Sequence, residues 1–530
     1  MKKMNAKTWL LCWLILVVSA LFVFGRWVYV TDPYFHYHAP DTDRYLYPLN
    51  YQRGQNDGII RHFEYDAVIT GTSMTENFRT TEAEKLFGYR FIKIPFAGAS
   101  YKEINDNLKA ALKADPGLKL VIRALDMGKF MDAWDAMRYD PSEYPDYLYD
   151  SDPLNDVKYL LNREVVFGRS WPMMESAAAG GRTGITSFDR YSSWHDAFTF
   201  GIGTVAPDGF SAPHPAQEVH LTEEDKARIE KNIRLNVTDL ADEYPDTEFY
   251  YFYPPYSISA WHAWADSGLV CQTLEAEEYI TQLILPHKNI HLFSFNGRTD
   301  ITTDLNNFRN NTHYGYWINS LMLRWMRDGE YLLTEENYKD RLKEEYDFYT
   351  SFDYESLNGQ TDYEADLRAA TLLNWELTGA QPLDVLAGGG PAVELMNAGY
   401  ITEDGRTTGI DCRGCLQRGS DEGTVADYLI NVGYIGARFT VDLDAGYRYL
   451  SFCGQKIDKA GRPTVCVYDE NGVLLKKLEY SHKSIDKEKH QYILDLSAVS
   501  GTVTVILNGG YVNSSGNADS EYVFSDIVLY

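Results

Sequence analysis

The chain has 530 residues, of which 45% are hydrophobic and 24% are charged, so it is long enough for several domains and apolar enough to bury a core. Its 49 basic and 76 acidic residues give a formal net charge of −27, which argues against nucleic acid as a partner because no general positive field would attract a phosphate backbone. Six cysteines in a chain of this length exclude a scaffold built on disulfides.

An uncharged apolar run covers residues 8–24, close to the N-terminus. Three lysines precede the run and one arginine follows it closely, a bias that places the basic end in the cytoplasm. We therefore expect residues 1–30 to form a cytoplasmic tip and a single transmembrane helix, with the remaining chain outside the cytoplasm at the cell membrane. The alternative is a signal peptide cleaved after Ala20, which would leave the apolar residues 21–24 at the new N-terminus.

Between residues 60 and 330, short apolar segments alternate with helical patterns. Several segments are apolar on both faces, as strands of a parallel sheet must be, and helical connections favour the same arrangement. One helix is predicted to begin at Ser100, because Ser100 and Glu103 have the spacing of a capping box and apolar residues recur on one face up to residue 114. We expect strands at residues 66–70, 90–95, 118–125, 247–253 and 290–295.

Two regions interrupt or follow this alternation. Residues 128–220 carry an acidic, tyrosine-rich stretch and a glycine-rich stretch, a long irregular insertion that is a lid, a binding loop or a surface excursion. Residues 334–387 begin with a charged, helix-forming stretch, and we interpret them as a helical connector. The α/β domain, with its insertion, is therefore expected over residues 31–333.

Residues 388–530 consist of period-two segments separated by turns. Many short strands with frequent turns are typical of a β-sandwich, which is here a candidate carbohydrate-binding module. Tyrosines in this region could stack on sugar rings, although alternating tyrosines are also common as core and cross-strand residues. We expect strands at residues 437–442, 447–452, 464–468, 492–496, 502–507 and 522–529.

Four of the cysteines lie in this C-terminal region. Cys412 and Cys415 form a C-x-x-C pair, and Cys453 and Cys466 lie on predicted strands. A zinc ribbon would need a second close pair, so we expect no metal and no other cofactor. A disulfide between neighbouring strands and unpaired buried thiols are the two alternatives for these cysteines.

Two candidate catalytic residues lie far apart in the sequence. Ser73 follows the first predicted strand in Gly71-Thr72-Ser73, at the strand end where open parallel sheets bind their ligands. The alternative is that Ser73 only begins a helix, because Ser73 and Glu76 have the spacing of a capping box. His313 lies on a loop after the last predicted strand, and an imidazole is the base that a serine nucleophile needs; its alternative is a capping or packing role.

Together these residues resemble the SGNH (GDSL-like) hydrolase superfamily. The shared features are a Gly-x-Ser sequence after the first strand, a glycine, Gly98, after the second, and a histidine near the end of the α/β unit. The segments TGTSMTEN (residues 70–77), FYPPYS (252–257) and NNTHY (310–314) resemble membrane-tethered members that are similar to the D-alanylation protein of lipoteichoic acid synthesis and to alginate acetylation proteins. The resemblance implies a flavodoxin-like three-layer sandwich, and ester hydrolysis or acyl transfer on surface glycans and polymers.

The resemblance also implies roles for individual positions. Ser73 would be the nucleophile and His313 the general base, while the backbone N–H groups of Ser73 and Gly98 would form part of an oxyanion hole. Asn77, which ends the first of the three segments, would help to bind the oxyanion or the substrate. Donors of this kind matter, because the loss of one typically lowers the rate about 10²- to 10³-fold.

Two positions depart from the family pattern. The family has an acid three residues before its histidine, where this chain has Asn310; an amide can hold a tautomer but does not offset the charge of an imidazolium. Asp304 or Asp300 would then replace the acid, or the site would work as a Ser-His dyad. The family has an oxyanion-hole asparagine after its third strand, where this chain has Asp126, a carboxylate that would repel an oxyanion unless it is protonated or turned away.

The sequence therefore leads us to expect a membrane-anchored, extracytoplasmic serine esterase or O-acyltransferase that acts on acyl groups of a cell-envelope glycan or polymer. Its expected partners are that polymer, the membrane itself, and a membrane protein that supplies acyl donors. The alternative is a catalytically impaired protein of the same fold that binds glycan or serves as a scaffold in the envelope.

Overall fold

The computed structural model describes residues 5–360, apart from residues 141–142, 181–182, 190, 194–199 and 216, and beyond residue 360 chiefly the strands of the C-terminal region.

Helix α1 (Ala6–Thr31) is capped at its start by the side chain of Asn5 and exposes most of its apolar residues. It has 26 residues with a mean hydropathy of 2.3 in its most apolar window, so by length and composition it is able to cross a membrane. A signal sequence near the N-terminus would pass the same test. The structure thus confirms the predicted apolar helix, while its orientation in a membrane stays a prediction.

Six strands form the central sheet, and five of them are parallel. The order is β2-β1-β3-β4-β5-β6, with β6 antiparallel to β5 at the edge, and its first five strands have the 2-1-3-4-5 order of flavodoxin-like sheets. The predicted mostly parallel α/β sheet is confirmed. The strands are β1 (Ala67–Thr70), β2 (Phe91–Lys93), β3 (Leu120–Ala124), β4 (Glu248–Tyr253), β5 (Ile290–Ser294) and β6 (Leu332–Leu333).

Every residue of β1, β2 and β3 is buried, which shows that both faces of this sheet are covered by helices. Helix α3 packs against α9, while α4, α5 and α8 form a second group with α2 and α10. The predicted capping box is present, with Ser100 and Glu103 bonding each other's backbone at the start of α4. The helices are α2 (Gln52–His62), α3 (Thr80–Phe87), α4 (Tyr101–Ala114), α5 (Glu223–Ile233), α6 (Asp239–Glu243), α7 (Ile258–Asp266), α8 (Val270–Ile284), α9 (Tyr316–Asp328) and α10 (Tyr338–Ser351), with a short helix at Thr299–Thr302 and a π-helical segment at Arg234–Thr238.

Helix α10 lies in the segment that the sequence predicts to be a helical connector. It packs along α8, and Tyr349 on α10 stacks on Trp261 of α7 with ring centroids 3.8 Å apart and an interplanar angle of 12°. Both rings are buried. This helix therefore adds to the α/β core; residues 361–381 lie outside the described part of the chain.

The insertion after β3 is built from short elements rather than long ones. Its π-helical segment Glu164–Ser170 and the helix Val157–Leu160 pack against α1, and its strand Gly184–Thr186 pairs in parallel with Leu46–Tyr47. The remaining elements are Met127–Lys129, Asp146–Leu148, Trp171–Ala178 and Ile202–Val205.

Except for Ile410–Asp411, the strands described beyond residue 381 form two antiparallel sheets, and every strand predicted there overlaps an observed one. Cys466, which the sequence leaves either bridged or unpaired, is buried and lies in contact with Tyr468. Cys412, Cys415 and the side chain of Cys453 lie outside the described residues. One sheet contains Leu474–Glu479, Thr464–Tyr468, Thr502–Asn508, Ala437–Asp442, Val393–Leu395 and Pro382–Leu383, and the other contains Leu416–Arg418, Tyr428–Asn431, Glu521–Leu529, Tyr449–Asp458 and His490–Asp495. Ile410–Asp411 pairs with the insertion strand.

Trp261→Ala should destabilise the α/β domain by about 3 to 5 kcal/mol, because it removes a fully buried aromatic side chain and leaves a cavity against Tyr349. Scanning calorimetry of the detergent-solubilised full chain measures the effect as a lower transition temperature. Trp134→Ala is the matched control, since Trp134 is 37% exposed and its loss should lower the transition temperature less than the loss of Trp261 does. Equal shifts in the two variants would contradict the assigned packing.

Candidate active site

The turn that follows β1 places Ser73 at the carboxyl edge of the sheet. Ser73 begins a short 3₁₀ turn, Ser73–Thr75, at the point where β1 lies between β2 and β3, the position at which open α/β sheets bind ligands. Its hydroxyl oxygen lies 2.7 Å from Nε2 of His313. The structure thus brings together the two candidate catalytic residues, which are 240 positions apart.

The cap of this turn is Thr72 rather than Ser73. The side chain of Thr72 accepts a hydrogen bond from the backbone N–H of Met74 at 3.3 Å. The hydroxyl of Ser73 is directed to His313 instead. The alternative in which Ser73 only begins a helix is therefore not the geometry that the structure shows.

Asn310 fixes the orientation of the imidazole. Its side-chain oxygen accepts from the backbone N–H groups of Thr312 and His313 at 3.0 and 2.9 Å, and it lies 3.1 Å from Nδ1 of His313. The two backbone donors identify the atom as the amide oxygen, so Nδ1 must donate to it. Nε2 is then unprotonated in the neutral ring and faces the Ser73 hydroxyl as an acceptor, which is the tautomer that a general base requires.

The surroundings of His313 favour its neutral form. Burial, and secondarily the positive charge of Arg309, lower the pKa of His313 from 6.5 to about 4. Near neutral pH the ring is therefore ready to accept a proton. The same two effects disfavour the imidazolium that a proton transfer would produce.

A clamp on the carbonyl oxygen of Met74 holds the serine turn against the histidine loop. Tyr314, the residue after His313, donates its hydroxyl to this oxygen at 3.0 Å, and the side-chain N–H of Asn319 on α9 donates to it at 3.1 Å. Tyr314 and Asn319 are both buried. The Ser73–His313 contact therefore rests on buried bonds that are separate from the contact itself.

The acidic residues considered as replacements for the missing acid have other contacts. Asp304 caps the short turn Leu305–Asn307 and accepts from the backbone and side-chain N–H groups of Asn306 at 3.2 and 3.0 Å. Asp300 forms an ion pair with Arg298 at 2.7 Å. The residue found at Nδ1 of His313 is Asn310, so the geometry is that of a serine–histidine pair oriented by an amide.

Asp126 is bonded to the turn that carries Ser73. One carboxylate oxygen accepts from the Thr72 hydroxyl at 2.7 Å and the other from the Tyr256 hydroxyl at 3.0 Å. Burial raises the pKa of Asp126, and these two hydroxyl bonds act in the opposite direction. Both carboxylate oxygens are therefore bonded to hydroxyl groups, and the carboxylate is joined to the turn that carries Ser73 through Thr72.

The loop after β2 provides a second set of backbone donors. Gly98 has a φ of 65°, and a Cβ at this position would lie 3.1 Å from Nε of Arg138, so the insertion covers the loop here with an exposed arginine. Among the residues that the structure describes, the N–H groups of Ser73 and Gly98 have no hydrogen-bond acceptor in the protein. Unpaired backbone N–H groups are the donors from which an oxyanion hole is built.

Asn77 and Lys93 are buried near this turn. Asn77 accepts a hydrogen bond from Ser193 of the insertion at 3.2 Å, and its part in substrate binding stays a prediction. Lys93 on β2 donates to the backbone carbonyl groups of Glu76 and Phe78, and burial lowers the pKa of its ammonium group to about 7. The sequence pattern of β2 gave no sign that this lysine would satisfy the carbonyl groups behind the nucleophile turn.

A cleft of about 310 Å³ opens between α2, α4 and the insertion, next to the Gly98 loop. Phe96 lines it from that loop, together with Arg53, Glu103 and Tyr144. Arg53 bonds Glu103 at 3.0 Å and the backbone carbonyl of Ala97 at 3.3 Å. The cleft therefore adjoins the loop that carries Gly98, one of the two candidate oxyanion donors.

One group of side chains in the described part of the chain has distances suited to a metal ion. Potential ligand atoms of Glu218, His220 and Cys271 lie within 4.8 Å of one another. The thiol of Cys271 donates to Glu218 at 2.7 Å, and Nδ1 of His220 lies 2.7 Å from Glu275. These contacts account for the cluster as a hydrogen-bonded network.

No family model and no curated protein matches this chain. Among solved structures, an arabinose-bound α-L-arabinofuranosidase is 14% identical with a TM-score of 0.17, covering 22% of this chain and 21% of that one. A family 6 carbohydrate-binding module is 13% identical with a TM-score of 0.16, over 22% of this chain and 80% of the other. The cleaved adhesin domain K3 of Lys-gingipain from Porphyromonas gingivalis is 12% identical with a TM-score of 0.16, over 21% and 77%. The chain thus spans about a fifth of the length of the arabinofuranosidase that it matches.

Gly71→Ala should impair the Ser73 site more than it impairs folding. Gly71 has a φ of 143°, and a Cβ there would lie 2.8 Å from Cγ2 of Thr75, so the substitution displaces the turn that carries Ser73. We expect slower labelling of Ser73 by a fluorophosphonate probe. Gly88→Ala is the control, because Gly88 also has positive φ, at 75°, but open space around it; similar labelling of both variants would contradict the prediction.

Proposed function

We propose that this chain is a membrane-anchored, extracytoplasmic serine esterase or O-acyltransferase of the SGNH type, acting on acyl groups of a cell-envelope glycan or polymer. The observation that carries the proposal is the 2.7 Å contact between Ser73 Oγ and His313 Nε2. The bonds of Asn310 hold the ring with Nε2 as acceptor. A hydroxyl in that contact is able to lose its proton as it attacks a carbonyl.

In the proposed cycle, Ser73 Oγ attacks the acyl carbonyl carbon while His313 Nε2 takes the hydroxyl proton. The negative charge that develops on the carbonyl oxygen is stabilised by the N–H groups of Ser73 and Gly98. His313 then returns the proton to the departing alcohol oxygen, which leaves an acyl-Ser73 ester. Water or a sugar hydroxyl, deprotonated by His313, attacks this ester and restores the serine, giving hydrolysis or transfer respectively.

A glycan or related polymer is the proposed substrate class because aromatic side chains border the cleft beside the Gly98 loop. Tyr144 lines the cleft. The ring centroid of Tyr139, which is 41% exposed, lies 6.1 Å from the ring centroid of Tyr144. Exposed aromatic rings are suited to stacking on the apolar faces of sugars. Both tyrosines belong to the insertion, which in this proposal is a binding loop. The C-terminal sheets are proposed to form a sandwich that holds the enzyme near its polymer.

Anchoring by α1 would keep the site beside the membrane, where a membrane protein could supply acyl donors for the transfer reaction.

A second candidate function is a catalytically impaired binding or scaffold protein. The observation that favours it is the amide of Asn310 in place of a carboxylate at Nδ1 of His313, since an amide does not offset the charge of an imidazolium.

Ser73→Ala should abolish hydrolysis of a small aryl acetate and labelling by a fluorophosphonate, while the transition temperature of the protein stays nearly unchanged. The physical reason is that the variant keeps the clamp on Met74 and loses only the nucleophilic oxygen. Ser151→Ala, at an exposed position of the insertion, is the control and should keep full activity. If the wild-type protein does not react with the fluorophosphonate but does bind glycan, the proposed enzyme is refuted and the binding protein is favoured.

The pH profile of kcat/KM should show its acid limb near pH 4, because it reports the pKa of His313 in the free enzyme, and this pKa is lowered to about 4. Below that pH the ring is protonated and no longer a base. Asn310→Asp should move the limb upwards by about one to three pH units, since a carboxylate next to Nδ1 favours the imidazolium.

The control for this experiment is Asn311→Asp, which adds the same charge at an exposed neighbouring position. The acid limb of this variant should lie within a few tenths of a pH unit of the wild-type limb, because solvent screens the added charge from His313. If both variants shift the limb equally, the shift does not come from the contact between position 310 and Nδ1 of His313. A wild-type limb near the ordinary histidine value would contradict the lowering of the His313 pKa by burial and by Arg309.

A further inference from the structure

Four apolar side chains of the insertion are exposed beside helix α1. Leu154, Val157, Phe167 and Trp171 are 84%, 51%, 51% and 45% exposed, and we call them the apolar shoulder. Burial of large apolar side chains is normally favourable, and a group of exposed ones indicates contact with something other than water.

The shoulder is continuous with the apolar surface of α1. The ring of Phe167 lies 5.3 Å from that of Phe24, and the ring of Trp171 lies 5.2 Å from that of Trp27. The segments Val157–Leu160, Glu164–Ser170 and Trp171–Ala178 pack along the helix and carry three of the four side chains, while Leu154 lies three residues before the first of them. Whatever surrounds the last apolar turns of α1 therefore also meets the shoulder.

The length of α1 indicates the depth at which Phe24 and Trp27 would lie in a bilayer. A hydrocarbon core of about 30 Å requires about 20 helical residues at a rise of about 1.5 Å each. Counted from Thr8, where the uncharged run begins, about 20 residues reach Trp27. Phe24 and Trp27 then lie at the outer boundary of the hydrocarbon, at the level where aromatic side chains are enriched, and so do the rings beside them.

The junction between helix and domain is rigid enough to hold the shoulder at this level. Val28 and Thr31 are buried, and Oγ1 of Thr31 lies 2.8 Å from Oγ of Ser170. The carboxylate of Asp32 accepts from the Tyr159 hydroxyl at 2.8 Å. The helix thus enters the folded domain directly, without a stretch of unpacked chain between them.

We propose that the apolar shoulder is a lipid-contact surface, inserted at the boundary of the outer leaflet when α1 spans the membrane. The inference rests on the membrane anchoring in the proposed function, but not on the chemistry of Ser73. The bilayer is the occupant that continuity with α1 and the level of Phe24 and Trp27 favour. The domain is then held against the membrane by two contacts, the anchor and the shoulder.

Site-specific photocrosslinking of the full chain in phosphatidylcholine–phosphatidylglycerol liposomes tests the inference. Leu154 and Phe167 are replaced one at a time by p-benzoylphenylalanine, and after irradiation lipid adducts are identified by mass spectrometry of the labelled peptides. Both positions are more than half exposed, so there is space for the bulkier side chain. We expect lipid adducts at both positions.

Two further positions serve as controls. Phe22, which lies in α1 and is 72% exposed, should form lipid adducts whenever the helix is in the bilayer. Trp134, in the same insertion but outside the shoulder and 37% exposed, should form none.

Adducts at Phe22 without adducts at Leu154 and Phe167 would overturn the inference and leave the anchor intact. An absence of adducts at Phe22 would refute the anchor, and with it the inference. Adducts at Trp134 equal to those at Leu154 would show unspecific contact and would also overturn it. None of these outcomes bears on the reactivity of Ser73, which the fluorophosphonate experiment measures separately.

Discussion

The carbonyl oxygen of Met74 is the point on which the candidate site depends. It receives hydrogen bonds from Tyr314 and Asn319, and so it joins the turn after β1 to the loop and helix that end the α/β unit. Without this clamp, the contact between Ser73 and His313 would be a single hydrogen bond between partly exposed side chains. Hydrogen bonds to a buried carbonyl are costly to break because the oxygen would be left without a partner. The contact is therefore a consequence of the fold rather than a contact that substrate must create.

The central sheet was predictable because its strands are buried on both faces, and such strands stand out in the sequence as continuous apolar segments. The serine and the histidine were predictable for a related reason, since each follows such a strand and strand ends meet at one edge of a parallel sheet. The edge strand β6 was not predictable, because it has only two residues and so short a segment shows no periodicity. The role of Asp126 was also beyond sequence reasoning, since its partner Tyr256 follows a strand more than a hundred positions away.

Asn310 illustrates how a departure from a familiar pattern changes chemistry without changing geometry. Its amide oxygen performs the orienting work that an acid would perform, because orientation needs only an acceptor at Nδ1 and two backbone donors to hold it. The charge of the acid is absent, and Arg309 adds a charge of the opposite sign. A site of this kind holds its base in the reactive tautomer at all ordinary pH values, but stabilises the protonated intermediate less well. Resemblance alone does not reveal this balance, because it depends on which neighbouring charges the fold brings to the ring.

The direct junction between α1 and the folded domain has a consequence for movement. A protein joined to a transmembrane helix by a flexible tether samples a hemisphere around its attachment point, with a radius set by the tether length. In the proposed membrane-anchored arrangement, a chain whose helix continues into packed structure, as the buried Thr31 and Asp32 indicate, has only lateral diffusion and rotation about the membrane normal. The search for a ligand then takes place in two dimensions, within a layer whose height is fixed by the molecule itself.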